Sequence, residues 1–173
     1  MKMDVKMAEA LSAQLVYELY SAYLYLALAA EMESIKFPGA AHWLRIQADE
    51  EMFHADLFYT HLNNRSAKIT FGEIKKPEFK VSSAREAFEM ALGHEYTVTK
   101  RIHALMAQAM ALNDFPTVNF LQFFVGEQVQ EERAAEQVID RLKMAGTNSE
   151  ALLFVDADLT TRPAATAPTG VTV

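Results

Sequence analysis

Apolar residues recur at steps of three and four along four long stretches of the chain, and the rhythm breaks where turn-forming residues stand. The spacing predicts a helix α1 over about residues 6–35, ending at Phe37-Pro38-Gly39. A second, α2, is expected over about 39–63, closing at Asn63-Asn64. Residues 65–82 contain Gly72 and Pro77 and no helical stripe, so they read as a long crossover loop. Ser83-Ala84-Arg85-Glu86 is a capping box that opens α3, which continues to about Leu112. Asn113-Asp114-Phe115-Pro116 ends it and offers Asp114 as the N-cap of α4, with Pro116 in the first turn. Helix α4 runs to Ala145, with Gly146 just beyond its end, and a short α5 follows over about 149–159. Thr160 to Val173 shows no periodicity and is expected to be disordered. No strand pattern or internal repeat is found. Two short connections and one long one, between α2 and α3, describe an all-α four-helix bundle with a single crossover and a short fifth helix. The expected organisation is one domain over 1–159 and a tail over 160–173.

The inward stripes of these helices carry intruders. On α1 the stripe runs Leu11, Leu15, Glu18, Ala22, Tyr25, Ala29, and on α2 Leu44, Ala48, Glu51, Ala55, Phe58, Leu62. On α3 it runs Ala84, Phe88, Ala91, Glu95, Val98, Ile102, Leu105, and on α4 Leu121, Val125, Gln128, Glu132, Ala135, Ile139, Leu142. A lone core carboxylate is so costly that it is normally protonated, paired or bound to a metal. A single buried Glu or His is often a paired structural residue, and one Glu-x-x-His is a weak signal. Four intrusions at comparable depth call for a cation instead. His54 follows Glu51 by three residues and Glu131 follows Gln128 by three, so each pair shares a helix face and can feed one site.

Composition narrows the cation. The chain has no cysteine, so thiolate sites, disulfides and cysteine nucleophiles are excluded. Four carboxylates, one imidazole and one amide suit iron in an oxygen-rich shell, in number enough for two metals bridged by Glu51. The net charge of -7 argues against nucleic acid or an anionic membrane as the main partner. The longest apolar run, Leu19 to Ala30, is too short to span a bilayer, and MKMDVKMAEA has no apolar signal region. A cytoplasmic protein is expected.

Four features carry a resemblance: YELYSAYLY at 17–25, GAAHWLRIQADEEMFHA at 39–55, DFPTVNFLQFFVGEQVQEE at 114–132, and the placing of Glu95 within α3. Through them the chain resembles the non-haem bacterial ferritins over about residues 5–160. The resemblance implies the ferritin-like bundle and a hollow homo-oligomeric cage of twenty-four subunits. It also implies oxidation of Fe(II) by dioxygen or hydrogen peroxide, with storage of the ferric mineral. It places Glu18, Glu51 and His54 on a first iron, and Glu51, Glu95 and Glu131 on a second with Gln128 beside it. Tyr25 matches the tyrosine that the family sets beside this centre as an electron donor. Close bacterial relatives add a third position from carboxylates matching Glu50, Glu127, Glu131 and one more, which here is Gln130. Any third iron is therefore expected to bind weakly. Met52 coincides with the methionine that binds haem in bacterioferritins, but α4 lacks their second Glu-x-x-His and haem is not expected. The alternative reading is a haem-binding or metal-sequestering bundle without turnover.

Overall fold

The computed structural model describes residues 2–173, among which five helices and no strands occur. Helices α1 (Val5–Ser34) and α2 (Pro38–Asn64) form one hairpin, and α3 (Ala84–Ala111) and α4 (Phe115–Ala145) the other. Helix α5 (Ser149–Leu159) docks on α2 and α4. The segment 67–82 crosses between the hairpins without regular structure. Among the described residues no helix is long and apolar enough to cross a membrane.

Local chemistry sets the helix ends. Asp4 opens α1 by accepting from the Lys6 and Met7 amides at 2.8 and 3.3 Å. Ser83 accepts from the Glu86 amide at 3.2 Å, and Glu86 reaches back to the Ser82 amide and hydroxyl at 2.7 and 2.8 Å, one residue earlier than in the usual capping box. Helices α1, α2 and α3 each end on a residue in the left-handed region, Lys36, Ser66 and Asn113. The amide following each returns to a carbonyl of the last turn. Only Asn113 is a residue type suited to that conformation.

Helix α2 opens differently. Its N-cap, Phe37, has no side chain that can accept. Asp156 of α5 supplies the cap instead, accepting from the Gly39 and Ala40 amides at 3.1 and 2.8 Å. The approach is so close that a Cβ on Gly39 would lie 1.7 Å from the Asp156 carbonyl oxygen. A residue 117 positions downstream therefore both caps α2 and fixes α5.

Two apolar clusters fill the bundle. One gathers Leu28, Met32, Leu44, Phe88 and Leu142, the other Met7, Leu11, Phe58, Ile102, Phe120 and Phe124. Glu18, Glu51, Glu95 and Gln128 interrupt the stripes between them, so the polar residues form a layer sealed at both ends by hydrocarbon. The stripes expected on α1, α2 and α3 are buried throughout. On α4 the register differs: Phe124 and Glu131 are buried, while Val125 and Glu132 lie at the margin. Two side chains one residue apart on α4 fall about 100° apart around it. Glu132 instead accepts from the Thr99 hydroxyl at the α3 interface.

Beyond Thr161 the tail has no helix or strand, and hydrogen bonds tie it to the body. Arg162 lies against α2, and at the far end the Val173 carbonyl accepts from Asn64 at 3.2 Å.

Candidate metal centre

Glu18 and Glu51 sit midway along α1 and α2, where each helix turns its apolar stripe toward the other. One turn beyond Glu51, His54 points to the same place, its Nδ1 3.7 Å from Glu51 Oε2. Glu18, Glu51 and His54 each present a ligand atom, all within 4.8 Å of one another. Both Glu18 Oε2 and Glu51 Oε2 are buried without a hydrogen-bond partner. Oxygens left bare in a sealed interior are expensive, whereas a bound cation would satisfy them directly.

Helices α3 and α4 supply the opposite wall. Glu95 accepts from the Tyr25 hydroxyl on one oxygen and from Gln128 Nε2 at 3.0 Å on the other. Gln128 thus acts as a donor that fixes Glu95. Glu131 accepts from Gln47 Nε2 at 2.8 Å. His54, Glu127 and Glu131 form a second group whose ligand atoms lie within 4.8 Å.

Electrostatics records how crowded the charges are. Burial, and then the negative charge of Glu51, push the Glu18 carboxyl up to about 8. Burial, followed by the charges of Glu95, Glu51 and Glu50, does the same to Glu131, also to about 8. Glu51 is driven well above the ordinary carboxylate range by burial and by Glu95. Glu95 is raised by burial, a shift opposed by its bonds from Tyr25 and Gln128. Tyr25 is held well above its ordinary value by burial and by Glu95, so its hydroxyl stays protonated and donates. Near neutral pH the metal-free pocket therefore holds protons that a divalent cation would displace.

The outer residues behave differently. Glu50 is half-buried and paired with Arg162 at 2.5 Å, so a cation of the protein itself occupies that carboxylate. Gln130 is exposed on α4. A cavity of about 410 Å³ opens onto Glu50, His54 and Glu127, and the tail, through Pro163, Thr166 and Thr169, forms its roof. Met52 is 51% exposed on α2 and takes no part in the cluster.

The sequence reading missed the residues that hold these carboxylates in place. Gln14 donates to Glu18 at 2.9 Å, and Gln47 serves both Glu51 and Glu131. A glutamine four residues before each of two core glutamates was the available signal, since that spacing stacks the two side chains on one helix face. Arg101 and Arg162, which contact those glutamines, carry no local signal because they arrive from other elements.

Comparison with known proteins agrees with this architecture. The Ferritin-like domain family matches residues 8–145. The chain is 37% identical over 156 residues to the bacterial non-heme ferritin of Escherichia coli O157:H7, covering 90% of this chain and 94% of that one. It is 36% identical over 154 residues to the bacterial non-heme ferritin of Staphylococcus aureus strain MRSA252, covering 89% and 93%. Among solved structures, the open-pore ferritin of the hyperthermophilic archaeon Archaeoglobus fulgidus superimposes with a TM-score of 0.91 at 40% identity, over 93% of this chain and 98% of that one.

Proposed function

Since the chain belongs to the ferritin family, we propose that it takes up Fe(II) and oxidises it to Fe(III) within each subunit, with dioxygen or hydrogen peroxide as the oxidant. The ferric product is stored as mineral inside a cage of twenty-four copies. Glu18, Glu51 and His54 hold one Fe(II); Glu51, Glu95 and Glu131 hold the second, with Gln128 keeping Glu95 in register. The observation that carries this reading is the pair of unpartnered buried oxygens, Glu18 Oε2 and Glu51 Oε2, on either side of one imidazole-bearing pocket.

The residues have separate tasks. Hard carboxylate oxygens favour the ferric product over the ferrous substrate, which lowers the cost of giving up an electron. Glu51, between the two positions, keeps two irons close enough to deliver two electrons to one oxidant. Two Fe(II) supply two electrons, and two protons complete the reduction of dioxygen to hydrogen peroxide, or of hydrogen peroxide to two waters. The protons that loading displaces from Glu18 and Glu131 leave next to where they are consumed. Tyr25, bonded to Glu95, stands within the site as a further one-electron donor. The apolar clusters above and below keep bulk water from the layer.

The test is anaerobic addition of Fe(II) followed by air, watched by absorbance, with the size of the assembly measured in parallel. Glu51→Ala is expected to abolish rapid initial oxidation while leaving the cage assembled, since it removes a ligand from both irons. Unchanged initial rates in that variant would sink the site assignment.

A further inference from the structure

Two arginines from distant parts of the chain make the same set of contacts around the candidate site. Arg101 of α3 lays its guanidinium over the Tyr17 ring, 4.0 Å from the centroid. It also donates to the Ala13 carbonyl at 3.1 Å and to Gln14 Oε1 at 2.8 Å. Gln14 in turn donates to Glu18 at 2.9 Å. Arg162 of the tail lies over the Trp43 ring, 3.9 Å from the centroid. It donates to the Trp43 carbonyl at 3.1 Å and to Gln47 Oε1 at 2.8 Å. Gln47 then donates to Glu131 at 2.8 Å and to Glu51 at 3.4 Å. In both cases the glutamine precedes its glutamate by four residues on the same helix, and both glutamines are almost fully buried.

The chemistry of a guanidinium decides what such a chain does. Arginine has donors and no acceptor, so the amide oxygen must face it and the amide NH₂ must face the carboxylate. Turned over, the amide would set its oxygen against a carboxylate and its NH₂ against a cation. The stacked ring and the helix carbonyl hold each guanidinium in plane, which leaves the amide one orientation. The carboxylate is then fixed by a donor that occupies one oxygen. On Glu18 and Glu51 the other oxygen stays free for a cation.

We propose that Arg101 and Arg162 are positioning residues for the metal centre, acting through Gln14 on Glu18 and through Gln47 on Glu51 and Glu131. Neither arginine donates to Glu18, Glu51 or Glu131 directly. Arg101 holds the carboxylate of α1, and Arg162 one carboxylate each of α2 and α4, in the geometry that binds Fe(II), much as an outer partner holds a metal-ligating histidine. The tail thereby becomes part of the site, because Arg162 is anchored there by its own carbonyl, 3.0 Å from His42 Nε2, and by Glu50. This inference rests on the iron-oxidising reading above.

The test uses the full-length assembled protein and two readouts: anaerobic Co(II) titration, followed by the visible ligand-field spectrum, and initial rates of Fe(II) oxidation over a range of Fe(II) concentrations. Outer-shell partners of metal ligands are typically worth about 10–100-fold in affinity or activity. Arg101→Met and Arg162→Met are each expected to weaken Co(II) binding about tenfold and to shift its spectrum, with Lys at either position restoring part of the loss. Gln14→Leu and Gln47→Leu should match their arginine partners, and each double variant should be no worse than its glutamine single. Wild-type affinity and spectrum in the methionine variants overturn the proposal, and so do losses that multiply in the double variants. If a methionine variant does not assemble, its lysine counterpart decides that arm, and unchanged Co(II) binding there counts against the proposal. A wild-type protein that neither binds Co(II) nor oxidises Fe(II) refutes the parent reading, an outcome distinct from these.

Discussion

Replacing Glu18 by glutamine should make the metal-free protein more stable and less sensitive to pH. The Glu18 carboxyl titrates near 4.5 when exposed and is pushed up to about 8 in the folded chain, chiefly by burial and then by Glu51. In the unfolded chain it loses its proton first. The folded state therefore keeps its full advantage below the ordinary value and loses it progressively as pH rises toward 8. At about 1.4 kcal/mol for each tenfold change in proton affinity, the loss from Glu18 alone between pH 5.5 and 8.5 amounts to about 3 kcal/mol. For a chain of this length that corresponds to about 6–12 °C in melting temperature. The introduced amide would keep the bond from Gln14 through its carbonyl oxygen and could donate to Glu51 with its NH₂, so the substitution leaves no buried donor stranded. Calorimetry of EDTA-treated protein at fixed concentration should show wild type falling over this pH range by that much more than Glu18→Gln. Saturating Co(II) should close most of that gap, because a ligand at 100 times its Kd adds about 2.7 kcal/mol only where the site is intact. If the two metal-free proteins lose stability in parallel from pH 5.5 to 8.5, the Glu18 carboxyl does not carry the strain assigned to it.

Three other outcomes are expected. Gly39→Ala drives a Cβ onto the Asp156 backbone and should cost about 3 kcal/mol or more in thermal unfolding, whereas Asp156→Ala, which removes the cap on α2 and its tie to α5 without a clash, should cost about 1–2 kcal/mol; equal effects would show that the close approach is relieved cheaply. Deleting residues 160–173 removes Arg162 and should lower initial Fe(II) oxidation about tenfold, while deleting 163–173 keeps Arg162 and should leave the rate near wild type; identical rates in the two truncations would separate the tail from the site. Gln130→Glu adds a carboxylate beside Glu127 and Glu131 and should raise occupancy of a third iron in iron-soaked crystals, a prediction that fails if the unmodified protein already fills that position.

Period and punctuation alone determined most of the architecture. Helices announced themselves because their buried stripes repeat every three to four residues, and their ends because Asp114, Ser83 and Gly146 act on neighbours within a few positions. The buried carboxylate layer was legible for the same reason: a carboxylate on an apolar stripe violates the local pattern wherever the other helices lie. The register of α4 was harder to read, since Phe124 and Val125 are both apolar and Glu131 and Glu132 both acidic, so composition could not choose between adjacent positions. The sequence put both Glu131 and Glu132 near the site face, and the facing helices decide that Glu131 is the buried one. Tertiary structure alone decided which remote groups complete the site. Asp156 caps α2 from 117 residues away, Arg101 reaches Gln14 from 87, and Arg162 reaches Gln47 from 115. None of these three breaks a local rule, because a surface arginine or a helical aspartate is unremarked in its own neighbourhood. Their meaning lies in hydrogen bonds whose direction is set by what they meet, and the chain has to close before those partners exist.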